Sequence, residues 1–109
     1  MALSNSSKQV SPMAQQFVKD SMAKNRVVIF SKTYCPYCKM AKEQFKKINV
    51  QFLSVEIEDL PSCQEIQDVL GKMTGARSVP RVFIDGNFIG GGTDVKKLYE
   101  TGQLQKMLA

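Results

Sequence analysis

The chain has 109 residues, 43% of them hydrophobic, which is enough for one domain with a real core and too short for two. Three cysteines, an odd number without an export signal ahead of them, argue against a structural disulfide framework and for a reducing compartment. The net charge of +5 is uneven, +7 over residues 1–50 and −2 over residues 51–109, and no recognition motif or run of interleaved arginine and aromatics comes with it, so nucleic acid is not the expected partner.

Residues 1–11 hold a single lysine and no apolar run. They match neither a secretory signal, a transit peptide nor a membrane span, and read as a disordered polar tail ahead of one domain over residues 12–109. Pro12 to Lys24 has helical spacing through Met13, Phe17 and Met22, and Arg26 to Ser31 is a short continuous apolar strand. Pro36 to about Lys47 predicts a helix with Met40, Ala41, Phe45 and Ile48 on one side. Gln51 to Glu58 predicts a second strand, parallel to the first because a helix joins them. A third helix starts near Pro61-Ser62, uses Ile66, Val69, Leu70 and Met73, and stops toward Gly75. Arg81 to Ile84 and Asn87 to Ile89 flank Asp85-Gly86, a strong hairpin signal. Thr93 opens a last helical region through Val95, Leu98 and Tyr99, broken at Gly102 and resumed over Leu104 to Leu108. This order, βαβ then ββα, predicts an α/β fold: a four-stranded mixed sheet with helices on both faces, without internal repeat or linker.

The chemistry is concentrated in Cys35-Pro36-Tyr37-Cys38, directly behind the apolar run Val27-Val28-Ile29-Phe30. Two thiols at this spacing, where a buried strand hands over to a helix, can close a small disulfide ring and reopen it. Pro36 suits the first helical position and pushes the residue before it out of helical conformation, so Cys35 becomes the N-cap. Its sulfur would face free N–H groups and the positive end of the helix dipole. A free thiol of pKa about 8.5 is a few per cent ionised at neutral pH, whereas helix N-termini and nearby cations bring cysteines to about 3.5 to 7.5. Lys32, Lys39 and Lys42 lie close in sequence. Cys38, one turn on, points inward, where burial would hold its proton. Cys35 is therefore the expected nucleophile and Cys38 the resolving thiol.

Other readings are weaker. Zinc would need a second ligand pair, and the chain has no histidine and only Cys63 left over. Gly90-Gly91-Gly92 follows a short hairpin strand rather than opening a βαβ unit, so it is not a dinucleotide loop. Cys63, at a helix start, is read as a small apolar filler rather than a regulatory thiol.

Three ordered blocks resemble those of a dithiol glutaredoxin: Ser31-Lys32-Thr33-Tyr34-Cys35-Pro36-Tyr37-Cys38, Thr74-Gly75-Ala76-Arg77-Ser78-Val79-Pro80-Arg81-Val82-Phe83-Ile84, and Ile89-Gly90-Gly91-Gly92-Thr93-Asp94. The resemblance runs from about Pro12 to the end, with Ser78 where threonine is frequent and Tyr34 before the nucleophile. It implies a thioredoxin-like fold, glutathione as co-substrate, and reduction of protein-glutathione mixed disulfides and some protein disulfides. It also implies a cis Val79-Pro80 bond whose Val79 backbone faces an extended peptide. Gly92, Thr93 and Asp94 would take the amine and one acid of glutathione; Lys32, Gln67 and Arg77 would approach the glycine-end carboxylate; Tyr37 would line the groove. Taken alone, Lys32 and Arg77 could be surface charge, and Gln67 an ordinary solvated residue.

The expected partners are glutathione and glutathionylated or disulfide-containing proteins, with no membrane, no metal and a monomeric state. A cytoplasmic location is expected, with mitochondrion and nucleus left open. A thioredoxin-type reductase is disfavoured by the absence of tryptophan and by Pro-Tyr between the cysteines. By the same resemblance, an iron-sulfur carrier is disfavoured, because family members that bridge a cluster usually lack a proline where Pro36 follows the first cysteine.

Overall fold

Ser11 starts the first helix, α1 (Pro12–Lys24), by accepting the Ala14 N–H on its side chain at 3.2 Å, with Pro12 in the position where a missing N–H costs nothing. The computed structural model describes residues 9–109. Residues 1–8 of the expected tail lie outside the described residues, while Val10 packs against the core. The buried side of α1 is Ala14, Val18 and Ser21 rather than the expected Met13 and Phe17, which are 84% and 39% exposed. Small residues let the helix approach the sheet, and the buried Ser21 hydroxyl is satisfied by donating to the Phe17 carbonyl.

The sheet has the order β2-β1-β3-β4, with β1 (Val27–Ser31), β2 (Leu53–Glu56), β3 (Arg81–Ile84) and β4 (Asn87–Gly90). β1 pairs parallel with β2 and antiparallel with β3, and β3 pairs antiparallel with β4. Being central, β1 is buried on both sides, which explains its unbroken apolar run. Val28 and Phe30 enter one core with α1 and α3 (Cys63–Thr74), whereas Val27 and Ile29 enter a second with α2 (Pro36–Lys47), α4 (Gly92–Glu100) and α5 (Gln103–Leu108). The second strand is shorter than expected at both ends, because only Leu53 to Glu56 find partners on a β1 of five residues. Ile57 still donates its N–H to the Ser31 carbonyl at 2.9 Å.

Asp85 and Gly86 turn the β3-β4 hairpin with φ of 52° and 80°, the left-handed pair that matches strand twist. Gly75 ends α3 at φ 91°. Met73, expected in the core, is 48% exposed, and Ile66, Val69 and Leu70 carry the buried face of α3. Among the described residues no helix is long and apolar enough to cross a membrane.

Candidate active site

Cys35 caps α2 as its position before Pro36 requires: its backbone is extended and its Sγ accepts the Cys38 N–H at 3.3 Å. The loop before it is closed by the Cys35 N–H donating to the Lys32 carbonyl at 3.2 Å. Cys35 is partly exposed and Cys38 is fully buried. Burial first, then the neighbouring Cys35 sulfur, pushes the Cys38 thiol up to about 11. One sulfur is thus accessible at a helix N-terminus, and the other sits beneath it as a thiol.

Val79 joins them from the other side of the sheet. Its carbonyl lies 3.8 Å from the Cys35 Sγ, and the bond to Pro80 is cis. The start of α4 completes the edge, because a Cβ on Gly92 would stand 2.5 Å from the Tyr37 carbonyl oxygen. Only glycine allows α4 to begin against the first turn of α2, so the two helices start side by side. Asp94 Oδ2 accepts the Gly91 N–H at 2.9 Å, and Thr93 beside it is exposed. Gly90, at φ 129°, leaves the space that the Asp94 side chain occupies.

Tyr37 is exposed on the rim, and Lys32 is partly buried in the loop before Cys35. The other two expected contacts are engaged elsewhere in this structure. Gln67 is buried, not solvated; its amide donates to the Arg77 carbonyl at 2.9 Å and its Oε1 lies 3.5 Å from the Cys63 thiol. It ties α3 to the segment leading into Val79. The Arg77 guanidinium turns back onto α3, where Asp68 at 3.0 Å and Gln64 at 3.0 Å hold it.

Three supporting side chains were not singled out from the sequence. Arg81, inside the second block, donates to the Pro80 carbonyl at 3.1 Å, lies over the Phe88 ring at 5.0 Å, and faces Asp94. Burial pulls its pKa down and the Asp94 charge opposes this. Glu58 accepts both the backbone N–H, at 3.1 Å, and the hydroxyl of Thr33, fixing the loop from behind; the Thr33 hydroxyl is the main cause of its lowered pKa. Glu56 accepts from Ser31 at 2.8 Å, from Lys42 at 2.7 Å and from Ser54. Burial alone would raise the Glu56 carboxyl, but these three bonds outweigh it and hold it below the ordinary range. Among the described residues no group of three or more His, Cys, Asp or Glu converges as metal ligands would.

Comparison with known proteins bears on this geometry. A family model described as Glutaredoxin matches residues 27–89, which contain both cysteines and Val79-Pro80. A curated relative, the mitochondrial Glutaredoxin-2 of Pongo abelii, is 48% identical over 87 residues, covering 80% of this chain and 54% of that protein. The chain therefore spans about half the length of that relative. A buckwheat glutaredoxin-glutathione complex has a TM-score of 0.84 at 38% identity, covering 88% of this chain and 87% of the other. The holo form of glutaredoxin C1 from Populus tremula x tremuloides has a TM-score of 0.83 at 33% identity, covering 88% and 95%.

Proposed function

The chain belongs to the glutaredoxin family, and from that membership we propose that it is a glutathione-dependent thiol-disulfide oxidoreductase acting on protein-glutathione mixed disulfides and on some protein disulfides. Its sheet with helices on both faces is the thioredoxin-like fold expected from the three sequence blocks. One observation carries the reading: an accessible sulfur that accepts a helix N–H, 3.3 Å away, directly above a second sulfur kept as a buried thiol.

A negative charge on the Cys35 sulfur is stabilised by the α2 N-terminus. The Cys35 thiolate attacks the glutathione sulfur of a mixed disulfide, the target protein leaves as a thiol, and glutathione stays on Cys35. A second glutathione then attacks the glutathione sulfur, so that oxidised glutathione forms and the Cys35 thiolate leaves, or Cys38 attacks the Cys35 sulfur, closing the Cys35–Cys38 disulfide and releasing glutathione. The Val79 backbone, next to the attacking sulfur, is suited to an extended tripeptide. The N–H groups of Thr93 and Asp94 at the α4 N-terminus suit a carboxylate, and Gly92 brings them close. Asp94 Oδ2 already serves Gly91, so Oδ1 is the oxygen assigned to the ammonium. Lys32 and Arg77 are assigned to the glycine-end carboxylate. Arg77 must exchange Asp68 for it, which is inexpensive because an exposed ion pair is worth only about 0 to 1 kcal/mol. Gln67 is assigned to the same end, with its bond to the Arg77 carbonyl setting where Arg77 stands. Tyr37 forms the groove wall. The mitochondrial name of the curated relative supports the mitochondrion as a compartment beside the cytoplasm read from the sequence.

The test couples reduction of a glutathionylated protein to glutathione, glutathione reductase and NADPH. Cys35→Ser is expected to abolish turnover and Cys38→Ser to keep most of it; equal losses would remove the monothiol route. Turnover with thioredoxin reductase in place of glutathione would replace this reading by the thioredoxin-type one. The holo form among the structural relatives motivates one control: the freshly purified protein is expected to be colourless, and visible absorbance lost with Cys35→Ser would assign it a prosthetic group.

A further inference from the structure

At the joint between β3 and α4, the Arg81 side chain brings together segments that the exchange chemistry gives no reason to join. As the first residue of β3 it stands opposite Phe30 of β1. Its Nε donates to the Pro80 carbonyl at 3.1 Å, and its Nη1 donates to the Thr74 hydroxyl, at the end of α3, at 3.4 Å. The guanidinium lies over the Phe88 ring of β4 at 5.0 Å. Its remaining nitrogen, Nη2, stands against Gly91, the N-cap of α4. A Cβ placed on Gly91 would be 3.5 Å from Nη2, 3.6 Å from the Pro80 carbonyl oxygen and 3.9 Å from Asp94 Oδ2. A cation, a carbonyl and a carboxylate thus close on one residue that has no side chain.

We propose that Arg81 is a positioning residue for glutathione specificity, a role that rests on the glutathione reading above: by tying the Pro80 carbonyl to the start of α4, it fixes the spacing between the two walls of the groove. One wall is Val79, whose carbonyl lies 3.8 Å from the Cys35 Sγ; the other is Gly92, Thr93 and Asp94 at the start of α4. The strand ladder alone holds this spacing loosely. Val82 pairs with Gly90 but Phe83 with Phe88, so a register shift leaves Ile89 without an opposite residue just where β4 runs into α4. Arg81 spans that irregularity. Its planar fork sends donors in several fixed directions at once, whereas a lysine offers one mobile point charge.

The consequence is selective. A tripeptide that engages both walls together gains from a fixed spacing, because its ends need no further ordering when it binds. A disulfide partner held by its sulfur and one wall gains nothing. Arg81 therefore acts on which disulfide is chosen and not on the reacting sulfur, since its contacts reach Pro80, Thr74, Phe88 and Gly91 rather than Cys35.

The experiment mixes the reduced protein, without free glutathione, with one fluorescent peptide whose single cysteine carries either glutathione or cysteine, and reads the second-order rate constant for peptide release by stopped flow. The wild type is expected to favour the glutathionylated peptide by about tenfold or more. Arg81→Ala should slow release from that peptide about tenfold and from the cysteinylated one by less than about twofold, so that the preference collapses. Arg81→Lys should fall between, keeping the charge but not the fork. Alkylation of Cys35 by iodoacetamide should be unchanged in both variants. In an Asp94→Ala background the loss caused by Arg81→Ala should shrink, because one wall is already disabled. An undiminished preference in Arg81→Ala, equal losses with the two peptides, a full preference in Arg81→Lys, slowed alkylation, or an undiminished loss in the Asp94→Ala background would each overturn the proposal. Should Arg81→Ala not fold, Arg81→Lys carries the same comparison: a partial preference supports the role and a full one sinks it. A wild type without preference for the glutathionylated peptide would remove the glutathione reading and this inference with it, whereas a wild-type preference that Arg81→Ala leaves intact removes the inference alone.

Discussion

The two faces of the sheet bury comparable cores but carry different duties. On one, Phe45, Ala41 and Val95 pack α2 and α4 side by side, and Gly92 lets the two helices start in contact. On the other, Val18, Ile66 and Leu70 pack α1 and α3, whose exposed edges keep Met13, Phe17 and Met73 in solvent. Both faces stabilise, yet only the first places a helix N-terminus, that of α2, at the cysteines. The site proposed for the reacting sulfur and a carboxylate therefore depends on how closely two helices approach, not on how much apolar area they bury.

The largest expected effects test this division. Phe45→Ala and Leu70→Ala each empty a fully buried position and should lower stability by about 2 to 5 kcal/mol in urea unfolding. At a temperature where both remain folded, Phe45→Ala should also lower turnover, because α2 carries both cysteines, while Leu70→Ala should not; equal loss of turnover would dissolve the distinction. Next come two glycines. Gly92→Ala drives a Cβ onto the Tyr37 backbone at 2.5 Å and should cost about 1 to 3 kcal/mol together with glutathione turnover. At Gly71 the same change meets Arg77 Cγ at 2.8 Å and so displaces that side chain from its root, but it gains helix propensity and meets no backbone closer than 3.8 Å, so its cost should be smaller than that of Gly92→Ala. A harmless Gly92→Ala would mean that the helix approach is not required.

The smallest effect appears only in alkali. The folded Cys38 thiol sits at about 11, above its usual 9.0, so folding favours its protonated form. Its contribution to stability is whole below about pH 9 and is lost as pH rises toward 11. Stability of the reduced protein should fall across that window, and Cys38→Ser should flatten the fall; an unchanged slope would locate the burial cost elsewhere.

Local chemistry made much of this legible beforehand. Pro36 told that Cys35 would cap α2, Asp85-Gly86 that a hairpin would turn there, and Gly75 that α3 would stop, because caps and tight turns are satisfied by residues within a few positions of one another. The apolar run of β1 announced a central strand for the same reason. The buried side of α1 was misjudged because Met13 and Phe17 have the right spacing but are one residue round the helix from the side that the sheet accepts. Arg77 and Gln67 could be named as ligands by resemblance, but their partners Asp68, Gln64 and Cys63 depend on how α3 meets the loop before Val79.

The sequence by itself determined a thiol pair at a helix start, the order of strands and helices, and the blocks that mark the family, since each depends on neighbours along the chain. Tertiary structure decided that Val79 reaches Cys35, that Gly92 abuts Tyr37, that Gln67 turns inward, and that Glu56 joins Ser31 of β1 to Lys42 of α2. Those contacts join residues 10 to 55 positions apart through strand register and helix packing, which no local pattern encodes.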